Sequence, residues 1–437
     1  MRGMFDTLKN ALKIPELRKK LLFTVGLLLI YRVGAHVPVP GLLQEQFASI
    51  LEQAGTLGSF IDMMTGGAFQ NATIFAMGIT PYVNASIIMQ LLTVAIPYLE
   101  RLQKEGDEGR KKIQQWVRYA TVGLAFIQAT ALYFGMRSAV YIADPSSVLS
   151  NVFSYLTISL TFTAGTAFLM WLGEQINEHG IGNGISLIIF AGIVSRAPNA
   201  VLALYSMVYD PTATYLISFS GLVQLIAILI VFVGVIAAAI WVQQGERRIP
   251  IQYAKRVVGR KMVGGQSSHL PIKVNMAGVI PIIFAMSILS LPSTIVSFFF
   301  VNSTSPLVIG IKNFQSSFLY AVVYALLIVF FTFFYTVVQF NPVEVANNLK
   351  KNSGFIPGIR PGKPTSDFIT RILYRITWFG GIFLALITVL PNILGAITGV
   401  EGLWFGGTSV LILVGVALDT VKQIESQMLM RHYKGFL

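Results

Sequence analysis

The chain contains no cysteine, which excludes disulfide staples, thiolate chemistry and cysteine-ligated metals. Histidine is almost as scarce. His36, His179, His269 and His432 lie far apart, none in an HExxH spacing, so the usual zinc signature is missing. Charge is the third shortage: 12% of the 437 residues are Asp, Glu, Lys or Arg, against about 25% in soluble domains. A soluble chain of this length must cover a large surface with polar groups. The deficit therefore excludes a soluble enzyme, a disordered regulator and a small secreted domain. Apolar residues fill the space instead: 54% of the chain is hydrophobic, with 31 Phe and 16 Tyr and a mean hydropathy of +0.68. Such a composition defines an integral membrane protein.

A membrane-crossing helix needs about 20 mostly apolar residues. Ten stretches approach this, near 21–36, 72–92, 115–136, 150–172, 181–199, 218–242, 274–299, 316–339, 370–390 and 403–424. The net charge of +13 tests the map. Of the 32 Lys and Arg residues, 26 fall on the N-terminal side of the bilayer, and Arg137, Arg196 and Lys312 alone fall opposite. Cytoplasmic segments carry such an excess, so both termini are expected in the cytoplasm. The basic start, Met1 to Lys20, lacks a small-residue cleavage site after it, and reads as leading into a retained first span.

The expected fold is an all-α polytopic membrane protein of ten transmembrane helices in two pseudo-symmetric, inverted five-helix halves, 1–205 and 206–437. Five spans per half place the second half upside down relative to the first. Pro81 and Pro281 fall inside the second span of each half, where proline is expected to bend the helix.

Catalytic and nucleotide signatures are missing. Gly358–Lys363 lacks Walker-A spacing, and Gly180–Gly184 lacks GxGxxG spacing and a preceding strand. No carboxylate sits near the middle of a span, as ion-coupled carriers usually require. The chain reads as a non-enzyme without cofactor or metal, dependent on a partner for energy. An inverted-repeat secondary transporter is the rival reading.

Three features are candidates for function. Thr56–Ala68 (TLGSFIDMMTGGA) is too short to span, and reads as a re-entrant half-helix or an interfacial one. Ile79 with Val83, and Ile185 with Ile189, are aliphatic pairs four residues apart on one helix face. They either line a dewetting constriction or simply pack. The loops 243–273 and 340–371 are basic and longer than a reconnection requires, which suggests docking to phosphate or an acidic partner.

Long segments resemble the SecY family, the central channel subunits of the bacterial protein-translocation complex. They are His36–Gly41, Phe75–Pro97, Lys104–Ile113, Met170–Val194, Gln266–Ala285, Phe340–Gly362 and Phe405–Asp419, in family order. The resemblance implies a protein-conducting channel of the bacterial plasma membrane, with a lateral gate between spans 2 and 7. By motif it implies a pore ring of Ile79, Val83, Ile185, Ile189, Ile283 and Ile412. It also implies a plug at Leu57, Gly58, Ser59, Phe60, Ile61, Asp62, Met63 and Met64. Gate candidates are Asn84, Gln90, Asn275 and Leu291, and the amides of the first three are expected to bond across the closed seam. Lys255, Arg256, Arg260, Lys261 and Arg360 are implied docking residues for the SecA motor ATPase or a translating ribosome, through ribosomal RNA and protein. The remaining implied partners are SecE, SecG, secretory and membrane-protein polypeptides, and the lipid bilayer.

Overall fold

The structure, a computed structural model, describes residues 4–44, 46, 62, 65–141, 147–208, 219–253, 256–258, 261–263, 267–299, 305–314, 317–398 and 407–434. An amphipathic α1 (Met4–Lys13) precedes α2 (Pro15–Gly34), which starts on a proline whose missing N–H costs nothing there. After a series of turns come α3 (Thr80–Ala95) and α4 (Pro97–Lys104), bent by 100° at Ile96 before Pro97. The first part continues with α5 (Asp107–Gly135), α6 (Val148–His179), α7 (Gly184–Ser195) and α8 (Ala197–Val208).

The second part opens with α9 (Phe219–Gln244) and a β-hairpin, β1 (Glu246–Tyr253) and β4 (Ser267–Lys273), with a separate two-stranded sheet of β2 (Arg256–Val258) and β3 (Lys261–Val263) between them in sequence. Then follow α10 (Ile280–Phe299), α11 (Pro306–Phe314), α12 (Phe318–Gln339), α13 (Pro342–Lys351), β5 (Gly354–Phe355), α14 (Lys363–Thr398) and α15 (Gly407–Lys434).

A helix occupies much of each of the ten apolar runs. Among the described residues, five helices are long and apolar enough to cross a membrane, or six if the bent α3–α4 pair counts as one. The shorter α7 and α10 are apolar but begin late. In both, glycine-rich or turn-forming residues occupy the start of the run.

Span 2 also begins late, at Thr80 rather than near residue 72. Ala72 and Gly78 have positive φ (47° and 56°), and Thr73 forms an isolated bridge with Pro38, so 65–79 is a set of turns. Pro81 and Pro281 accordingly do not bend their helices; each sits in the first turn of one. The expectation of mid-helix kinks fails because the N–H that proline lacks has no intrahelical partner in a first turn anyway.

The two parts meet where α10 packs on α3 and α5, and where α15 packs on α7 and α1. One apolar core lies in the first part around Phe69, Leu132, Tyr133 and Phe162. Another lies in the second, around Ile282, Phe284, Phe331 and Leu384. A third lies between them.

Candidate functional site

The third core holds the site. All six ring candidates belong to it: Ile79, Ile189 and Ile412 are buried, and Val83, Ile185 and Ile283 are half-buried against them. Four helices contribute, each from its beginning. Ile79 is the residue preceding α3, and Val83 lies one turn on. Ile185 and Ile189 belong to the first turns of α7, whose cap is Asn183: its Oδ1 accepts from the Ser186 N–H at 3.2 Å. Ile283 lies in the first turn of α10, and Ile412 in the second of α15.

Glycine permits this convergence. A Cβ on Gly184 would lie 2.0 Å from the Gly173 carbonyl oxygen, and one on Gly407 would lie 1.7 Å from that of Ile387. A wall of aliphatic groups binds nothing strongly and excludes water and ions by dewetting.

Two short stretches that feed the cluster share a signal that sequence reading missed. Gly78-Ile79-Thr80-Pro81 and Gly278-Val279-Ile280-Pro281 each place a positive-φ glycine (56° and 63°) three residues before the helix-starting proline. The prolines were noted; the glycines in register with them were the legible clue.

Of the plug candidates, Leu57, Gly58, Ser59, Phe60, Ile61, Met63 and Met64 lie outside the described residues. Asp62 is buried and forms an ion pair with Arg196 at the end of α7. Its Oδ1 accepts from the Gln70 N–H at 2.7 Å.

Among the gate candidates, Asn84 is buried on α3 and Gln90 half-buried on the same helix. Asn275 is buried, and its Nδ2 donates to the Gly278 carbonyl of its own turn at 3.0 Å rather than across the seam. The Leu291 side chain is outside the described residues. Aliphatic contact fills the α3–α10 seam instead: Ile87 of α3 packs into the core of Ile282 and Ala285.

The two basic loops prove to be one body. β1 pairs with β4 over Glu246↔Lys273 to Gln252↔Ser267, and β5, from the second loop, adds to β1 at Gln252↔Phe355 and Tyr253↔Gly354. Ile249, Ile272, Ile356, Ile369 and Leu373 form a small core beneath this sheet. Arg247, Arg248, Lys273, Lys350, Lys351, Arg360 and Lys363 are exposed around it. Lys255 and Arg260 lie outside the described residues; Arg256 and Lys261 stand on β2 and β3, without description of their side chains. Earlier in the chain, a buried Glu174 on α6 accepts from Arg118 Nε (2.7 Å) and Gln114 Nε2 (3.2 Å), both on α5, tying those helices together.

A polytopic helical membrane protein, with an aliphatic cluster at the junction of two helical parts, is the class these features define. Its loops carry a basic platform. The chain belongs to the SecY family, whose sequence profile matches residues 73–421. It is 47% identical over 440 residues to the protein translocase subunit SecY of Halalkalibacterium halodurans, covering 99% of this chain and all of the relative. Among solved structures it resembles a SecY in which the plug domain stabilises the closed state of the translocation channel and maintains a membrane seal. That match has a TM-score of 0.62 at 21% identity, covering 94% of this chain and 92% of the other. It also resembles Sec61 in the canine ribosome–channel complex from the endoplasmic reticulum, with a TM-score of 0.53 at 18% identity and the same coverage.

Proposed function

We propose that the chain is a protein-conducting channel that moves unfolded secretory polypeptides across the bacterial plasma membrane and releases apolar segments sideways into lipid. The convergence of the six aliphatic residues from four helix beginnings carries this reading. A passing chain exposes every kind of side chain, and polar groups in a constriction would hold some of them back. Aliphatic groups repack around varying widths and so act as a gasket. Segments 1–205 and 206–437 form its two halves, with ten spans and both termini in the cytoplasm. Residues 56–68 form the plug.

The seam between α3 and α10 is the lateral exit, and long apolar segments partition through it because lipid is their lower-energy solvent. Energy comes from outside: the basic platform receives the SecA ATPase or a translating ribosome, whose RNA offers phosphate to Lys and Arg. SecE and SecG complete the membrane complex, and the chain itself is not an enzyme. Membership of the SecY family and the likeness to a ribosome-bound channel support these assignments; both leave little room for a secondary transporter.

A stalled secretory chain carrying a photocrosslinker at successive positions tests the reading. Adducts to Ile79 and Ile283 are expected from the segment lying in the membrane. Adducts confined to lipid, or to the outer surfaces of α9 and α12, would overturn the channel assignment.

A further inference from the structure

Arg196 is one of three basic residues expected on the side of the membrane otherwise almost empty of them. Its guanidinium is buried, with 9% of the side chain exposed, against an Asp62 side chain that is 6% exposed. The same guanidinium donates through Nη1 and Nη2 to Gln70 Oε1, both at 3.3 Å. Asp62 in turn accepts from the Gln70 N–H through Oδ1, and its carbonyl accepts from the Gly67 N–H at 2.9 Å. The pair is therefore the centre of a buried polar network.

Three neighbouring contacts tie the same turn down. Arg32 Nη1 donates to the Gly66 carbonyl at 2.8 Å, Tyr31 Oη to that of Thr65 at 3.0 Å, and Ser195 Oγ to that of Gly66 at 3.3 Å. The turn lies so close to α7 that glycine is required. Gly66 and Gly67 have φ of 65° and 91°. A Cβ on Gly66 would lie 2.7 Å from Ser195 Oγ, and one on Gly67 would lie 3.1 Å from the Arg196 guanidinium. Thirteen residues after Gly66 comes Ile79, then α3 with Val83; α7 carries Ile185 and Ile189. The network thus joins the two elements that supply four of the six constriction residues.

We propose that Arg196 and Asp62 are positioning residues of the resting channel, an ion-pair latch that holds the 65–79 turns on α7 and so keeps the aliphatic constriction closed. The inference rests on the channel reading above. Neither residue touches the passing polypeptide in this role; both act through the positions of Ile79 and Ile185. A buried charge that loses its partner is strongly unfavourable where it stands. Breaking the pair therefore frees the turn rather than leaving it in place.

The test uses the complete membrane complex in proteoliposomes, with four versions of this chain: parent, Arg196→Met, Asp62→Asn and the double variant. Asn at 62 keeps an oxygen for the Gln70 N–H. Ion efflux in the absence of substrate is the readout, with Ile79→Gly as the reference for an open constriction. Each single variant is expected to raise efflux at least tenfold while export of a secretory precursor continues. The double variant should leak no more than the worse single, because both substitutions remove the same link. Efflux at the parental level in Arg196→Met, or a double variant leaking by the product of the two single factors, would overturn the latch.

A parent that exports no precursor, together with a silent Ile79→Gly, would instead refute the channel reading itself. Should Arg196→Met fail to accumulate, Arg196→Lys takes its place, because lysine keeps the charge but cannot reach Asp62 and Gln70 together. Its readout is labelling of an Ala68→Cys substitution by a membrane-impermeant maleimide; Ala68 is fully buried, and the chain has no other cysteine. About tenfold faster labelling than in the parent supports the latch, and an unchanged rate overturns it.

Discussion

Gly34 and Phe75 show how single atoms place the site. A Cβ on Gly34 would lie 2.1 Å from Cε2 of Phe75, whose ring stacks on Tyr31 and Phe168 at centroid distances of 6.1 and 6.0 Å. The ring lies flat on the end of α2 only because no methyl stands there, and it fixes the turn leading to Ile79. Gly34→Ala is expected to destabilise the protein by about 1–3 kcal/mol, the usual cost of overpacking. Thermal unfolding in detergent measures it, and Phe75→Leu should recover part of the loss. For the constriction, replacing Ile79, Ile185 and Ile283 together by glycine removes the branched chains that exclude water. Substrate-free ion efflux should rise well above that of any single substitution; unchanged efflux would remove these residues from the seal.

Helix beginnings matter more than helix middles in this fold. Proline within an apolar run reads as a kink when the run is taken as one helix, and only the positive-φ glycines at 78 and 278 reveal that the helix starts there. A side chain in that backbone region costs about 1–2 kcal/mol. Around Gly278 the space is open, whereas a Cβ on Gly78 would also meet Thr65 Cγ2 at 2.8 Å. Gly78→Ala should therefore lower the unfolding temperature more than Gly278→Ala. Equal shifts would show that Thr65 yields freely.

The basic loops teach a second lesson at this scale. Their charge and length were legible in the sequence, but their union was not, because β5 reaches β1 from about a hundred residues further along and is two residues long. No periodicity marks so short a strand. Arg360 is exposed beside this sheet, and its carbonyl accepts from Thr365 Oγ1 at 2.9 Å, a contact that a new side chain leaves intact. Arg360→Glu should depress motor-driven export severalfold at normal protein level. Loss of the protein itself would make the loop structural.

Across the whole molecule, composition sufficed for the membrane class, and the apolar runs for the neighbourhoods of the helices but not for where spans 2, 5 and 7 begin. They say nothing of which helices meet, because lipid-facing and partner-facing apolar residues look alike in sequence. The packing of α3 against α10 is such a fact. Ile87 and Ile282 share one core across this seam, and the cysteine-free background allows a cysteine at each to be bridged cleanly. A short bis-maleimide between them is expected to block membrane-protein insertion. Continued insertion in the bridged protein would place the exit elsewhere.

The sheet joining the two loops also has a mechanical side. β4 ends at Lys273, and α10 begins at Ile280. The six residues between are clipped at both ends: the Val274 N–H bonds to the Gly245 carbonyl at 2.9 Å, and Asn275 bonds to Gly278. Such a tether has almost no slack. A tug on the hairpin is passed through it as through a crank, and arrives three residues into α10 at Ile283. The same sheet sends the other end of the load through β5 into α14. On the proposed reading, a partner that grips the hairpin pulls on the throat of the channel without entering it.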